Sequence, residues 1–227
     1  MRELSAEERA VRRDAVGELG EALRELVDAA VRTEVPLDRL AEATAAAREL
    51  TALLSTELRE VHEIASVDDP ESGQRWYSPV YGPGSPVAPP MVVEDFPTEG
   101  RCVGHVTVGK KLEGPPGLVH GGVVATLLDH VLARSARGAG HGGLTAVLTV
   151  TFRRPVQLGV PLVVTGQLVS VEGRRATATA RLVAEDDPDT TLAEGEATLV
   201  ALRAERAGEV FAKTGRAVAA WTAKSTD

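Results

Sequence analysis

The sequence predicts an α+β fold: one antiparallel sheet with a single buried helix inserted early in it, behind an N-terminal helical hairpin. Residues 5–64 carry apolar side chains at helical spacing, and residues from 101 onward fall into short β-branched runs separated by turn residues. A stretch between those runs, Gly121 to Arg137, is apolar around most of a helix. At 227 residues and 43% apolar content, one well-buried domain with an appendage is the expected size class. The boundaries read as a helical extension at 1–66, a connector at 67–97, the main domain at 98–204 and a tail at 205–227.

Ser5-Ala6-Glu7-Glu8 has the form of a capping box, in which serine and glutamate satisfy free amides of a first helical turn. Leu19, Leu23, Leu26, Val27 and Ala30 then recur on one side of the helix. Pro36 interrupts the pattern, and Leu40, Ala47, Leu50, Leu54, Leu58 and Val61 resume it on a second helix. Residues 1–64 hold nine Arg, no Lys and fifteen Asp or Glu, which speaks against a DNA-reading helix-turn-helix. A packing or oligomerisation arm is the plain expectation, and a regulatory or substrate-covering role is the other.

Between 67 and 97 the density of Pro, Gly, Ser and Asp suppresses regular structure, while Trp76, Tyr77 and Tyr81 give the connector means to dock on a domain surface. Strands follow at Arg101–Val108, Leu144–Phe152, Pro161–Val171, Arg174–Ala184 and Leu192–Leu202. Thr145, Val147, Thr149 and Thr151 alternate with Leu144, Ala146, Leu148, Val150 and Phe152, the period of two of a half-buried strand. Glu172-Gly173 suits a hairpin turn, and Asp186-Asp187-Pro188-Asp189 a longer one.

Composition narrows the function classes. A net charge of -8 opposes nucleic-acid binding, which needs a clustered basic face. No apolar run approaches the roughly 20 residues of a membrane span, and the charged Met1 to Asp14 stretch lacks a secretory h-region, so a soluble cytoplasmic protein is expected. Cys102 is the sole cysteine, which rules out an intrachain disulfide and a thiolate metal cluster. His120, Asp129, His130 and His141 include no i,i+4 ligand pair, so a bound metal is not expected.

On the buried helix, Gly122, Thr126, Asp129 and Ala133 form a small, partly polar seam. An aspartate there is unfavourable unless it is paired, hydrogen-bonded or exposed in a working cleft. An arginine from a strand or another subunit could neutralise it, or the cleft could be catalytic. The preceding Gly117-Leu118-Val119-His120-Gly121-Gly122 opens the helix with free amides at the positive end of its dipole, which suits an anionic oxygen.

The run from Val119-His120-Gly121-Gly122 through Thr126-Leu127-Leu128-Asp129, with the acid nine residues after the histidine, resembles the signature of PaaI-like hotdog-fold acyl-CoA thioesterases. The likeness extends over about 89–202, includes Phe152-Arg153-Arg154-Pro155, and leaves out the N-terminal hairpin. It implies a sheet wrapped around a central helix and acyl-CoA hydrolysis without a cofactor. By position, Asp129 activates water or attacks the thioester, the Gly121 amide polarises the carbonyl, His120 orients the turn and Thr145 assists the water. Gly122 joins the substrate-binding set. Gly114 stands where some members have an asparagine.

Gly121 and Asp129 are eight residues apart, roughly 12 Å along a helix, whereas both must act within about 3 Å of one carbonyl. Two antiparallel copies of the helix would bring them together, so the expected assembly is a homodimer, or a tetramer built from it. Arg153 and Arg154 are the candidates for the phosphates of coenzyme A, with alternation sending them to opposite faces. A non-catalytic acyl-CoA-binding or regulatory module is the alternative use of the same pocket; a hydratase would require a different histidine and acid arrangement. Acyl specificity stays open.

Overall fold

The structure, a computed structural model, describes residues 4–69 and 73–214; the expected tail beyond 214 lies outside the described residues. Helix α1 (Ala6–Arg32) starts at the expected box: the Ser5 hydroxyl accepts from the Glu8 amide at 3.2 Å and the Glu8 carboxylate from the Ser5 amide at 2.9 Å. Its inner face lies on the connector. Any side chain at Gly20 would collide with the Pro83 carbonyl and Gly84, and Arg24 donates to the carbonyls of Pro83 and Ser85 at 2.6 and 3.0 Å. Arg13 donates to the Val67 carbonyl and stacks over Trp76.

Helix α2 (Leu37–Leu54) has no buried residue and does not pack along α1, so the two helices follow one another without forming a closed pair. It stops at Leu54 although the apolar pattern continues to Val61. The Thr56 hydroxyl donates to the Leu53 carbonyl, a local bond that competes with the helical ladder.

Strands β1 (Val92–Phe96), β2 (Arg101–Thr107), β3 (Leu144–Phe152), β4 (Pro161–Glu172), β5 (Arg175–Ala184) and β6 (Asp187–Val200) form one antiparallel sheet in the order β1-β2-β4-β5-β6-β3. Helix α3 (Gly121–Gly138) joins β2 to β3 and packs across β2, β4, β5 and β6. Val124, Leu127, Leu128, Val131 and Leu132 are sealed against Leu162, Val164, Leu182, Ala197 and Leu199. Each such valine or leucine contributes about 1.5–3 kcal/mol by leaving water. At Gly166 the α3 backbone around Val131 lies so close that no β-carbon fits.

Three details differ from the sequence reading. Strand β1 falls inside the expected connector, hidden by its flanking prolines and its lack of alternation, so the sheet begins at 92. The turn after β5 is Glu185-Asp186; Asp187 already pairs with Ala184, and Pro188 sits in the irregular stretch before Thr191 pairs with Val183, where its missing amide breaks no ladder bond. A short helix α4 (Ala204–Val210) begins the expected tail.

The face of α3 toward β1 and β2 carries a half-buried polar cluster. His130 stacks against connector Tyr81 with ring centroids 4.6 Å apart, and Arg134 makes two hydrogen bonds to Asp95, at 2.8 and 2.7 Å. Burial, reinforced by Arg134 and Arg137 and opposed by Asp95, pushes His130 down to about 3. The folded histidine therefore binds its proton less readily than the unfolded one. The stability gained by keeping it neutral is complete above pH 6.5 and is lost as pH falls toward about 3, at about 1.4 kcal/mol per pH unit. Urea unfolding between about pH 7 and pH 5 should show this slope, and His130→Phe, which keeps a ring beside Tyr81, should flatten it. An unchanged slope in that variant would place the proton uptake elsewhere.

Cys102, on β2 beneath this cluster, is fully buried and its thiol is pushed up to about 12, chiefly by burial and then by Asp95. It stays a thiol, unsuited to nucleophilic attack. Among the described residues, no helix is long and apolar enough to cross a membrane.

Candidate active site

The loop before α3 is tied down at several points. His120 donates its amide to the Leu112 carbonyl, Gly114 to Leu118, Val119 to Val156, and Gly117 to the Glu113 carboxylate at 2.7 Å. Lys110 and then the Gly117 amide hold Glu113 below the usual carboxylate range. A β-carbon at Gly114 would stand 2.8 Å from the His120 Cα, so this tight loop has no room for the asparagine that some family members carry there.

His120 is the N-cap of α3, and its Nδ1 accepts from the Gly122 amide at 3.0 Å. That bond requires an unprotonated Nδ1 and fixes the ring against the first helical turn. It also separates the roles of the two glycines. Gly122, expected among the substrate-binding residues, has its amide committed to His120. The Gly121 amide has no acceptor among the described residues, and it sits at the positive end of the helix dipole.

Gly121 opens onto a cleft of about 370 Å³ shared with Pro115, Leu118, Phe152, Arg154 and Val156. Phe152 is a residue to which the sequence reading gave no role. It is 56% exposed, and its ring edge stands 3.5 Å from where a Gly121 β-carbon would be, walling one side of the free amide. The two arginines at the cleft mouth differ. Arg153 is held by Glu194 on β6 at 2.8 Å, whereas the Arg154 side chain is exposed and has no partner among the described residues.

Asp129 lies two turns further along α3, half-buried, and does not line this cleft. Its Oδ1 accepts from the Thr145 hydroxyl at 2.9 Å. The contact depends on a bulge in β3. Thr145 is opposite Leu199 and Val147 opposite Thr198, so two steps on β3 meet one on β6. Strict alternation would put Thr145 on the outer face with Val147, Thr149 and Thr151; the extra residue, Ala146, turns it inward beside buried Leu199. One chain thus holds two separate arrangements: an amide with its cleft, and a carboxylate with its hydroxyl. Among the described residues no three His, Cys, Asp or Glu side chains converge as metal ligands.

Comparison with known proteins points the same way. A profile of the Thioesterase superfamily matches residues 116–191. The acyl-coenzyme A thioesterase THEM4 of Xenopus laevis is 35% identical over 89 residues, 39% of this chain and 40% of that protein. The protein of the same name from Mus musculus is 33% identical over 108 residues, 48% of this chain and 46% of its own. The matched stretch thus spans less than half of either curated relative. A crystal structure of a thioesterase superfamily protein matches far more: 34% identity over 82% of this chain and 94% of that one, with a TM-score of 0.72. On this match the chain belongs to the thioesterase superfamily.

Proposed function

We propose that the protein hydrolyses the thioester of an acyl-coenzyme A at a site assembled between two copies of the chain. The observation that carries this is the division of the chemistry: an unpaired amide at the start of α3, and a hydroxyl-bonded carboxylate roughly 12 Å further along. Strand β3 offers the means of joining them. Among the described residues it is an edge strand, paired only with β6, and it exposes Leu144, Val147 and Phe152 at 39, 57 and 56%. Antiparallel pairing of β3 with its copy would bring the Thr145 end of one beside the Phe152 end of the other. The exposed α3 seam of Gly122 and Thr126 would then face its counterpart, with Asp129 of one copy near Gly121 of the other.

In such a site the thioester oxygen accepts from the Gly121 amide, whose helix dipole favours the negative charge that develops there. The Thr145 hydroxyl occupies Oδ1 of Asp129 and leaves Oδ2 free for water. The carboxylate takes the water proton as hydroxide adds to the carbonyl carbon; the tetrahedral intermediate then collapses, breaking the C–S bond and releasing the acid and the coenzyme A thiol. Direct attack by the carboxylate, giving a mixed anhydride that water opens, forms the same products from the same geometry. The apolar cleft suits the pantetheine arm, and Arg154 the phosphates. Acyl-coenzyme A is named here because the THEM4 relatives are acyl-coenzyme A thioesterases.

Thiol release from a panel of short, long and aromatic acyl-coenzyme A substrates tests the reading. Turnover on at least one class, at kcat/KM of about 10⁴ per molar per second or more, is the expected result. Saturable binding across the panel with no thiol released would favour a non-catalytic acyl-coenzyme A-binding module instead.

A further inference from the structure

The segment that leads into α3 is a miniature hairpin. Glu113 pairs with Val119 through the backbone, the Gly114 amide donating to the Leu118 carbonyl at 2.9 Å and the His120 amide to the Leu112 carbonyl at 3.0 Å. The second arm runs through Leu118 and Val119 directly into the His120 cap and the Gly121 amide, so the course of that arm decides where the amide points. At the exposed tip stand Pro115, Pro116 and Gly117, the last at φ +80. The two prolines have no N–H, which leaves the Gly117 amide as the donor of the tip. The Glu113 carboxylate, reaching across from the first arm, accepts from it at 2.7 Å and is itself held by Lys110 at 2.6 Å. The first arm has a firm base: Lys111 donates to the carbonyls of Pro86 and Ala88 at 3.0 and 3.3 Å, and the short 3₁₀ turn Lys110–Leu112 packs against α1.

We infer that Glu113 is a positioning residue for the reaction: by fastening the tip of this hairpin to its base, it fixes the direction in which the Gly121 N–H meets the thioester oxygen. The inference rests on the hydrolase reading above. Glu113 is not among the residues that line the Gly121 cleft, so its effect passes through the backbone of the second arm. A carboxylate suits the task, because a charge-assisted bond to an amide is shorter and stronger than a neutral one. Its value to the fold is small, since the bond lies at the surface. Its value to the reaction is larger. An oxyanion donor acts at about 3 Å, and a misplacement of about 1 Å can cost about a hundredfold in rate.

Steady-state kinetics of the full-length protein in two backgrounds test this. Glu113→Ala should lower kcat about tenfold or more while KM moves by less than about threefold. Glu113→Asp keeps the charge but ends one bond short of Gly117, and should lose as much. Glu113→Gln, whose amide oxygen can still accept from Gly117, should recover most of the loss. In the Gly121→Pro background, where there is no N–H left to aim, Glu113→Ala should cost less than about twofold more. An equal loss in both backgrounds, a loss confined to KM, or a glutamine variant as slow as the aspartate one would overturn the inference. The aspartate and glutamine pair decides the matter if the alanine variant fails to fold. A second readout needs no turnover: in substrate-free protein carrying isotope-labelled glycine, the Gly121 amide resonance should shift or broaden in the aspartate variant and return in the glutamine one. A resonance unmoved by Glu113→Asp would also overturn the inference. Absence of thiol release by the wild type from every ester would instead sink the hydrolase reading, and the resonance alone then decides whether Glu113 directs the amide.

Discussion

Asp129→Asn should lower kcat/KM by about a hundredfold or more, a loss of about 2.7 kcal/mol of transition-state stabilisation or greater. The substitution isolates the chemistry because the amide oxygen of asparagine can still accept the Thr145 hydroxyl, which Asp129 Oδ1 now accepts at 2.9 Å. The side-chain volume is nearly unchanged, so melting temperature and assembly should match the wild type. What disappears is the capacity to take a proton from water or to attack carbon. Turnover within a few-fold of wild type in a correctly folded variant would show that the carboxylate serves the fold rather than the reaction.

Gly121→Pro should cost about a hundredfold to a thousandfold in kcat, the range seen when one oxyanion donor is removed. The helix accepts the change unusually well. Gly121 is the first residue of α3, where proline is favoured because its missing N–H has no helical partner. His120, at φ −60 and ψ 133, already has the extended conformation that a following proline requires. Gly121→Ala is the control: its β-carbon would meet Phe152 at an ordinary 3.5 Å and its amide remains, so activity should stay within about threefold. Co-expression of the Asp129→Asn and Gly121→Pro chains adds a sharper test. Half of randomly assembled dimers are mixed, and each mixed dimer has one site with both groups intact, so about a quarter of wild-type activity should return. No recovery would mean that both groups act within one chain.

Much of this was legible in the residues. Apolar spacing on α3 located its buried faces, and the seam of Gly122, Thr126 and Asp129 stood out because an acid is costly on such a rod. The capping box gave the start of α1 to the residue. What was illegible depends on contacts distant in sequence. Strand β1 exists because β2 pairs with it, not because Val92–Phe96 alternate. The commitment of Arg153 to Glu194, and the closeness of Phe152 to Gly121, arise from neighbours on other elements. The inward turn of Thr145 was the least predictable, since its own strand reads as a regular alternation with the opposite sense.

That bulge makes the Thr145–Asp129 contact a matter of pairing as much as of chemistry. Every side chain from Val147 to Phe152 keeps its orientation with or without the bulge; what the bulge decides is the face shown by Thr145. If all nine residues of β3 paired in strict alternation, composition, core and motif would be intact while the hydroxyl aimed into solvent and abandoned Asp129; deleting Ala146 would instead regularise the strand and leave Thr145 opposite Leu199. Relatives that retain the acid and lack one residue here would therefore reach the same inward hydroxyl without a bulge, and a comparison of residue types alone would not reveal it.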